Sequence, residues 1–294
     1  MPQIKTILAP VDFSDRSRHG LEHAAAFARL FDSRVIVAHF LPPSPYEYAA
    51  FDEGFFAAAA WPDIGDVRDK LEERLDALIA QANLTTPTDK IIRRGDPVTE
   101  IEEIIQQQGV DMVMLPTHGY GPFRRFVLGS VTNKVLHDVS IPVFTGAHVP
   151  EIATVDKEPY KRIACAIDLL EHSEDVLRWA HALSQTCADD LVVIHAAPQV
   201  EVGGAYGDWF PPESREQIVK TARQGVEEML SKLGIAAEVH VDSAEPVSYI
   251  RATADRAYAD LLVIGRGPTH GLLAGIREHA YAIIREAPCP VVSV

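Results

Sequence analysis

The sequence predicts an α/β protein of two doubly wound domains, each a parallel sheet covered by helices on both faces. Three observations support this prediction. The chain repeats itself, short apolar runs alternate with segments of helical period, and 294 residues is the length of about two domains. Right-handed connections between parallel strands then produce the doubly wound arrangement.

The repeat is visible as four echoes in the same order along the chain. The offset between the copies is 156 residues for the first two echoes and 148 or 149 for the last two, so the first copy has the longer middle connection. The echoes pair residues 5–12 with 161–168, 35–39 with 191–195, 111–115 with 260–264, and 141–143 with 289–291.

The junction between the copies is polar and punctuated by proline, as a short linker is. We therefore predict a first domain over residues 1–148, a linker over 149–160 and a second domain over 161–294.

Within the first copy, apolar runs predict five strands and the segments between them have helical period. Ser14 is suited to cap the first helix and Gly109 to end the third. Residues 41–66 fit neither period, which predicts a long loop that could serve as a lid or a partner surface. The predicted strands are 5–9, 34–40, 90–93, 112–115 and 142–145.

Composition excludes several partners. The formal net charge of −15 disfavours nucleic acid and anionic membrane surfaces. Three cysteines without a C-x-x-C pair indicate reduced thiols rather than a disulfide framework, and no signal peptide or membrane span is apparent. These features predict a cytoplasmic protein.

Ligands of doubly wound sheets bind at the carboxyl ends of the strands. Two loops follow strand ends there in the first copy, Pro10-Val11-Asp12 and the glycine-rich segment 116–122. Gly129-Ser130 then opens the last helix, with Val131, Val135 and Leu136 expected on its buried side. Glycine lets the backbone curl with φ > 0 and approach a ligand, and free amides at a helix start attract anions. Asp12 can accept from a ribose hydroxyl or hold a metal ion through water.

Each of these features also has a structural interpretation. A glycine-rich turn can be only a turn, Gly129-Ser130 only a helix cap, and Asp12 only a capping residue. His39 and His195, at the ends of apolar strands, are interpreted as core or wall residues rather than catalysts. Arg124 and Arg125 provide local positive charge or form a solvated helix face. Convergence on one edge of the sheet favours the phosphate site.

Thr117-His118-Gly119, followed after nine residues by Gly129-Ser130-Val131, resembles the G-x-x-G-x9-G-S/T signature of the universal stress protein family. The segment 9–14 resembles that family's first strand and loop. The resemblance covers both copies. It implies a five-stranded parallel sheet in the order 3-2-1-4-5, ATP binding as in one branch of the family, with or without Mg²⁺, and dimerisation through the last strand.

The resemblance assigns roles to particular positions. Pro10, Val11 and Asp12 correspond to the family's first loop, with Asp12 on the ribose side, and Phe40 lies where a backbone contact to adenine is expected. The phosphate side comprises Pro116, Thr117, His118, Gly119, Arg124, Gly129, Ser130 and Val131.

One departure from the signature matters, because Pro116 replaces the first motif glycine. Proline has no amide hydrogen, so a phosphate contact at that position is lost.

The second copy departs further. Asp168 is retained, but Arg277-Glu278 stand where the first copy has Gly129-Ser130, and Glu278 would place a carboxylate against phosphate. We expect a degenerate second site with a structural or regulatory role.

Three functions remain open at this point. The leading hypothesis is a binding and signalling module in which ATP occupies the first domain and an unknown protein partner responds. A slow ATPase or phosphotransferase is the second, although no catalytic lysine and no pair of metal carboxylates is apparent. A nucleotide-free scaffold, with binding abolished by Pro116, is the third. Tandem duplication also predicts an intrachain pseudo-dimer with a seam near Val143 and Val291, and allows a homodimer.

Overall fold

The structure, a computed structural model, describes residues 3–41, 64–115, 129–145, 160–188, 190–199, 212–266 and 275–294. These residues belong to two compact units whose principal segments are Gln3–Val143 and Asp156–Val294. No helix in this part of the chain is both long and apolar enough to cross a membrane.

The first copy alternates strands and helices in the predicted order. Strand β1 pairs in parallel with β2 and β4, and β2 pairs in parallel with β3. The strand order is β3-β2-β1-β4-β5, as expected. The elements are β1 (Thr6–Pro10), α1 (Asp15–Phe31), β2 (Arg34–Leu41), α2 (Ile64–Gln81), β3 (Thr88–Arg94), α3 (Pro97–Gln108), β4 (Met112–Met114), α4 (Ser130–Asp138) and β5 (Val143–Thr145).

The second copy repeats this topology. Strand β6 pairs in parallel with β7 and β9, β7 with β8, and β9 with β10, which gives the order β8-β7-β6-β9-β10. The elements are β6 (Arg162–Ala166), α5 (Ser173–Cys187), β7 (Asp190–Ala197), α6 (Pro212–Leu233), β8 (Glu238–Ser243), α7 (Pro246–Arg256), β9 (Leu261–Ile264), α8 (Gly275–Glu286) and β10 (Val291–Ser293).

The central strands of each sheet are buried along almost their whole length, as expected when helices cover both faces. The predicted helix signals are confirmed. Ser14 caps α1 and accepts a hydrogen bond from the amide of Ser17, and Gly109 ends α3 in the left-handed conformation with φ of 60°. The predicted loop over 41–66 was wrong at both ends: Leu41 still belongs to β2, and Ile64 begins α2. The rest of the predicted loop, 42–63, lies outside the described residues.

In both copies an aspartate just before the fourth strand accepts hydrogen bonds from the start of the first strand, a contact that we call the aspartate clamp. Asp111 Oδ2 accepts from the amides of Lys5 at 2.7 Å and Thr6 at 2.9 Å, which ties the start of β1 to the start of β4. Asp260 accepts in the same way from the amides of Lys161 and Arg162 at 2.8 and 3.1 Å. The echo of residues 111 and 260 in the sequence therefore reflects a shared hydrogen-bonding role.

Candidate functional site

A tight turn follows β1 at the carboxyl edge of the first sheet. Asp12 Oδ1 accepts from the Ser14 amide at 3.0 Å and from the Ser14 hydroxyl at 2.6 Å. This side-chain-to-backbone bond forms an Asx-turn. The turn therefore uses Asp12 Oδ1 for bonds within the protein. Asp12 Oδ2 accepts no hydrogen bond from the described residues.

The Asx-turn holds Phe13 in the left-handed region, with φ of 61°. A bulky residue in that region stores about 1–3 kcal/mol of strain, which the surrounding contacts must offset. The Phe13 ring lies 4.5 Å from the His39 ring between centroids, and the Arg74 guanidinium carbon lies 3.9 Å from the Phe13 centroid. Arg74 therefore brings a cation to this edge of an acidic protein.

His39 is half-buried near the end of β2. Its Nδ1 lies 2.8 Å from the carbonyl oxygen of Val11, which can only accept, so Nδ1 carries the hydrogen. Burial lowers the pKa of His39, against the opposing effect of this hydrogen bond. The Val11 amide in turn donates to Ala38 O at 2.8 Å, so the Val11 amide is already satisfied by the protein.

Phe40 presents a backbone edge that no strand in the described part of the chain covers. In a parallel sheet alternate residues of a strand bond to opposite neighbours. Ala38 O accepts from Val11 and Leu41 O accepts from Gly95, so the amide and carbonyl of Phe40 face the β1 side. Strand β1 has ended there, and the structure shows no partner for these two groups within the described part. This is the position where the resemblance expects adenine.

The amino end of α4 provides the second unpaired backbone surface. Gly129 is its N-cap and no side chain caps the helix. The first intrahelical bond runs from Asn133 N to Gly129 O at 2.9 Å, and the amides of Ser130 and Val131 have no acceptor among the described residues. Unpaired amides at the positive end of a helix dipole are suited to an anion.

Two details of this helix start differ from the sequence prediction. Gly129 has φ of −59°, an ordinary value, so glycine is not needed there for a left-handed backbone. Glycine at this position instead leaves open the space that a side chain would occupy. Val131, expected on the buried side with Val135 and Leu136, is half-buried, whereas Thr132 is buried.

The remaining predicted residues of the phosphate side lie outside the described residues. They are Pro116, Thr117, His118, Gly119 and Arg124. The site described here consists of the β1 turn, the Phe40 edge and the start of α4. In the described part of the chain, no three His, Cys, Asp or Glu side chains are placed to hold a metal ion.

The second copy repeats the turn after its first strand and the histidine contact beside it. Asp168 Oδ1 accepts from the Leu170 amide at 2.9 Å and the Ser173 hydroxyl at 2.8 Å, and Leu169 repeats the left-handed φ of 61°. His195 Nδ1 lies 2.9 Å from Ile167 O, as His39 does from Val11.

The phosphate side of the second copy differs. When α4 and α8 are aligned at their last residues, Asp138 and Glu286, α8 is longer by three residues at its amino end. An extra stretch of helix therefore stands where the first copy exposes its helix start. This supports the expected degeneracy, which stays a prediction.

Sequence reasoning missed Phe13 and Arg74. The spacing of Asp12 and Ser14 is a signal for an Asx-turn and thus for an unusual backbone at Phe13. Arg74 carries no local signal, because its approach to Phe13 depends on how α2 packs against the sheet.

The model of the universal stress protein family matches residues 3–145 and again residues 159–294. Two universal stress proteins of Methanocaldococcus jannaschii are similar to about half of this chain. One is 27% identical over 143 residues, covering 47% of this chain and 79% of its own length, and the other is 28% identical over 149 residues, covering 47% and 92%.

Among solved structures, a universal stress protein from Archaeoglobus fulgidus aligns with 99% of this chain and 96% of its own, with a TM-score of 0.68 and 21% identity. That likeness shows the fold alone. The family model matches each copy separately.

Proposed function

Because the chain belongs to the universal stress protein family, we propose that it is a nucleotide-binding module whose first copy binds ATP. The proposal extends to a signalling role, in which occupancy of the first copy changes what an unidentified protein partner recognises. It rests on the geometry of the described residues, read together with the signature resemblance.

One observation carries the proposal: two sets of backbone groups without a partner among the described residues lie at the carboxyl edge of the same sheet. The Phe40 amide and carbonyl offer a donor and an acceptor suited to the edge of adenine. The Ser130 and Val131 amides offer donors suited to phosphate oxygens. Helix α4 follows β4, so its amino end faces the edge at which β2 ends.

Asp12 and Arg74 supply the charges between these surfaces. Asp12 Oδ2 is suited to a ribose hydroxyl, or to a water bound to Mg²⁺ that enters with the triphosphate. Arg74 forms no ion pair with the described residues, and its guanidinium lies on Phe13 beside the same turn. A local cation offsets the repulsion that a net charge of −15 exerts on a nucleotide.

Isothermal titration calorimetry with ATP tests the proposal, in buffer with Mg²⁺ and again with EDTA. We expect one ATP per chain, with an affinity that falls in Asp12→Asn if the carboxylate holds ribose or metal. One family member is known in complex with cAMP, so cAMP serves as a competitor that lacks the β- and γ-phosphates. Absence of heat with every nucleotide would leave the scaffold hypothesis.

The same samples separate binding from turnover. Release of inorganic phosphate at a rate no greater than in buffer is expected for a binding module. Turnover that disappears in His118→Ala would instead favour the ATPase.

The free, buried thiols of Cys165, Cys187 and Cys289 suit a reducing compartment, and we propose the cytoplasm as the location.

A further inference from the structure

The second copy contains a cavity of about 550 Å³ at the carboxyl ends of its strands. The ends of β6, β7 and β9 form its floor, and α5, α7 and α8 contribute walls. Its walls are mainly aliphatic, with Val176, Ile250, Ile264 and Ile283 among them. A cavity of this size and character is suited to a small organic molecule.

His195 gives this cavity a defined hydrogen-bond acceptor. Its ring is buried, and Nδ1 carries its hydrogen toward the Ile167 carbonyl oxygen. In the neutral ring Nε2 is then an acceptor, and no described group donates to it. A ligand with an N–H or O–H group satisfies this nitrogen.

The backbone of Ala196 adds a donor and an acceptor on one wall. Ile194 O accepts from the Ile167 amide at 3.0 Å, so Ile194 bonds toward β6. By the alternation of a parallel strand, the amide and carbonyl of Ala196 face the same way. The last paired residue of β6 is Ala166, opposite Ile194, so these groups open beyond the end of that strand, where Ala196 lines the cavity. A flat heterocycle with adjacent donor and acceptor atoms fits such an edge.

Charge at this cavity disfavours phosphate. Its described lining contains the carboxylates of Asp168 and Glu171, the imidazoles of His172 and His279, and neither lysine nor arginine. In the sequence, Arg277 and Glu278 occupy the positions of the Gly129-Ser130 pair, and α8 begins earlier than α4 by three residues. The groups that suit a base are thus retained, whereas the helix start that suits its phosphates is altered.

We propose that the second copy binds an uncharged heterocyclic base or nucleoside and rejects its phosphorylated forms. The two copies then sense different states of the same kind of ligand, the charged nucleotide in the first and the dephosphorylated nucleoside in the second. The second site stands on its own residues and does not depend on ATP binding by the first.

The test is a calorimetric titration with adenosine in the presence of saturating ATP, which occupies the first copy. The wild-type chain is compared with Ala280→Phe, because Ala280 lies on α8 in the cavity wall and a phenyl group there fills the space. We expect adenosine to bind the wild type at one site and at least tenfold more weakly to Ala280→Phe. His195→Phe, which removes the acceptor, should weaken adenosine by a similar factor.

Thermal unfolding of each variant checks that it is folded. Ala252→Phe, the same substitution at an exposed position of α7 outside the cavity lining, serves as the matched control and should bind adenosine as the wild type does. Equal adenosine binding in wild type and both cavity variants, no adenosine binding by the wild type, or displacement of adenosine by ATP from the second copy would each overturn the proposal. If ATP fails to bind anywhere while Ala280→Phe still removes one adenosine site, only the proposed function of the first copy fails.

Discussion

Replacing Gly129 by glutamate should abolish ATP binding without destabilising the fold. The backbone at Gly129, with φ of −59° and ψ of 150°, is one that any residue adopts. The chain already has a glutamate in the equivalent role, because Glu245 caps α7 with φ of −63° and accepts from the amides of Val247 at 3.0 Å and Ser248 at 2.8 Å. The Ser248 amide lowers the pKa of Glu245, which caps as a carboxylate.

The magnitude follows from charge. A carboxylate about 4 Å from a phosphate oxygen repels it by about 4 kcal/mol at an effective dielectric constant near 20. Salt screens a pair at that distance only in part, since the Debye length is about 8 Å at physiological ionic strength. About 4 kcal/mol corresponds to a loss of roughly a thousandfold in affinity. A glutamate at position 129 that caps as Glu245 does would also accept from the amide of Val131, which corresponds to Val247 in α7, and so would take one of the proposed phosphate donors.

Gly129→Gln is the matched control, because glutamine has nearly the same size and no charge. Calorimetry with ATP should show roughly a thousandfold loss for Gly129→Glu and about tenfold for Gly129→Gln. The melting temperature of Gly129→Glu should equal or exceed that of the wild type, because a helix cap has been added. Equal ATP affinity in wild type and Gly129→Glu would refute the placement of phosphate at this helix.

Three further predictions concern stability and reactivity. Asp111→Ala removes the acceptor of two backbone amides and should lower the free energy of unfolding by about 1–3 kcal/mol in urea titrations; an unchanged midpoint would contradict the clamp. Burial lowers the pKa of His39, so as the pH falls the unfolded chain binds this proton before the folded chain does, and the free energy of unfolding should fall below about pH 6.5. His39→Phe should lose less of that free energy between about pH 7.5 and 5.5, and an equal loss in both proteins would contradict the lowered pKa of His39. Burial raises the pKa of Cys187 and of Cys289 to about 12 and also raises that of Cys165. A thiol reagent at about pH 8 should therefore label none of the three in the native protein and all three in denaturant. Rapid labelling of the native protein would contradict their burial.

The fold was predictable from the sequence because its signals are local and repeated. Continuous apolar strands such as β1 and β2, a serine cap at Ser14 and a glycine stop at Gly109 each specify their element without knowledge of the rest. The start of α2 at Ile64 was missed, since the residues before it have no helical period.

The candidate site was predictable only in part. Asp12 and Gly129 could be named because they follow a strand end or open a helix, and Phe40 was assigned by the family resemblance. The conformation of Phe13 and the approach of Arg74 depend on packing between distant elements, which the sequence pattern does not encode. The sequence did not predict the cavity of the second copy, because Arg277 and Glu278 bear only on phosphate binding. The pairing of the copies as a pseudo-dimer and any homodimer stay predictions.

The central claim is that the free amides at the start of α4 bind the phosphates of ATP while the Phe40 edge binds its base. Amide chemical shifts of the ¹⁵N-labelled chain, recorded during titration with ATP, test it most directly. We predict the largest shifts at Phe40, Ser130 and Val131, saturating together. Saturable ATP binding that leaves these three amides unmoved would contradict the claim.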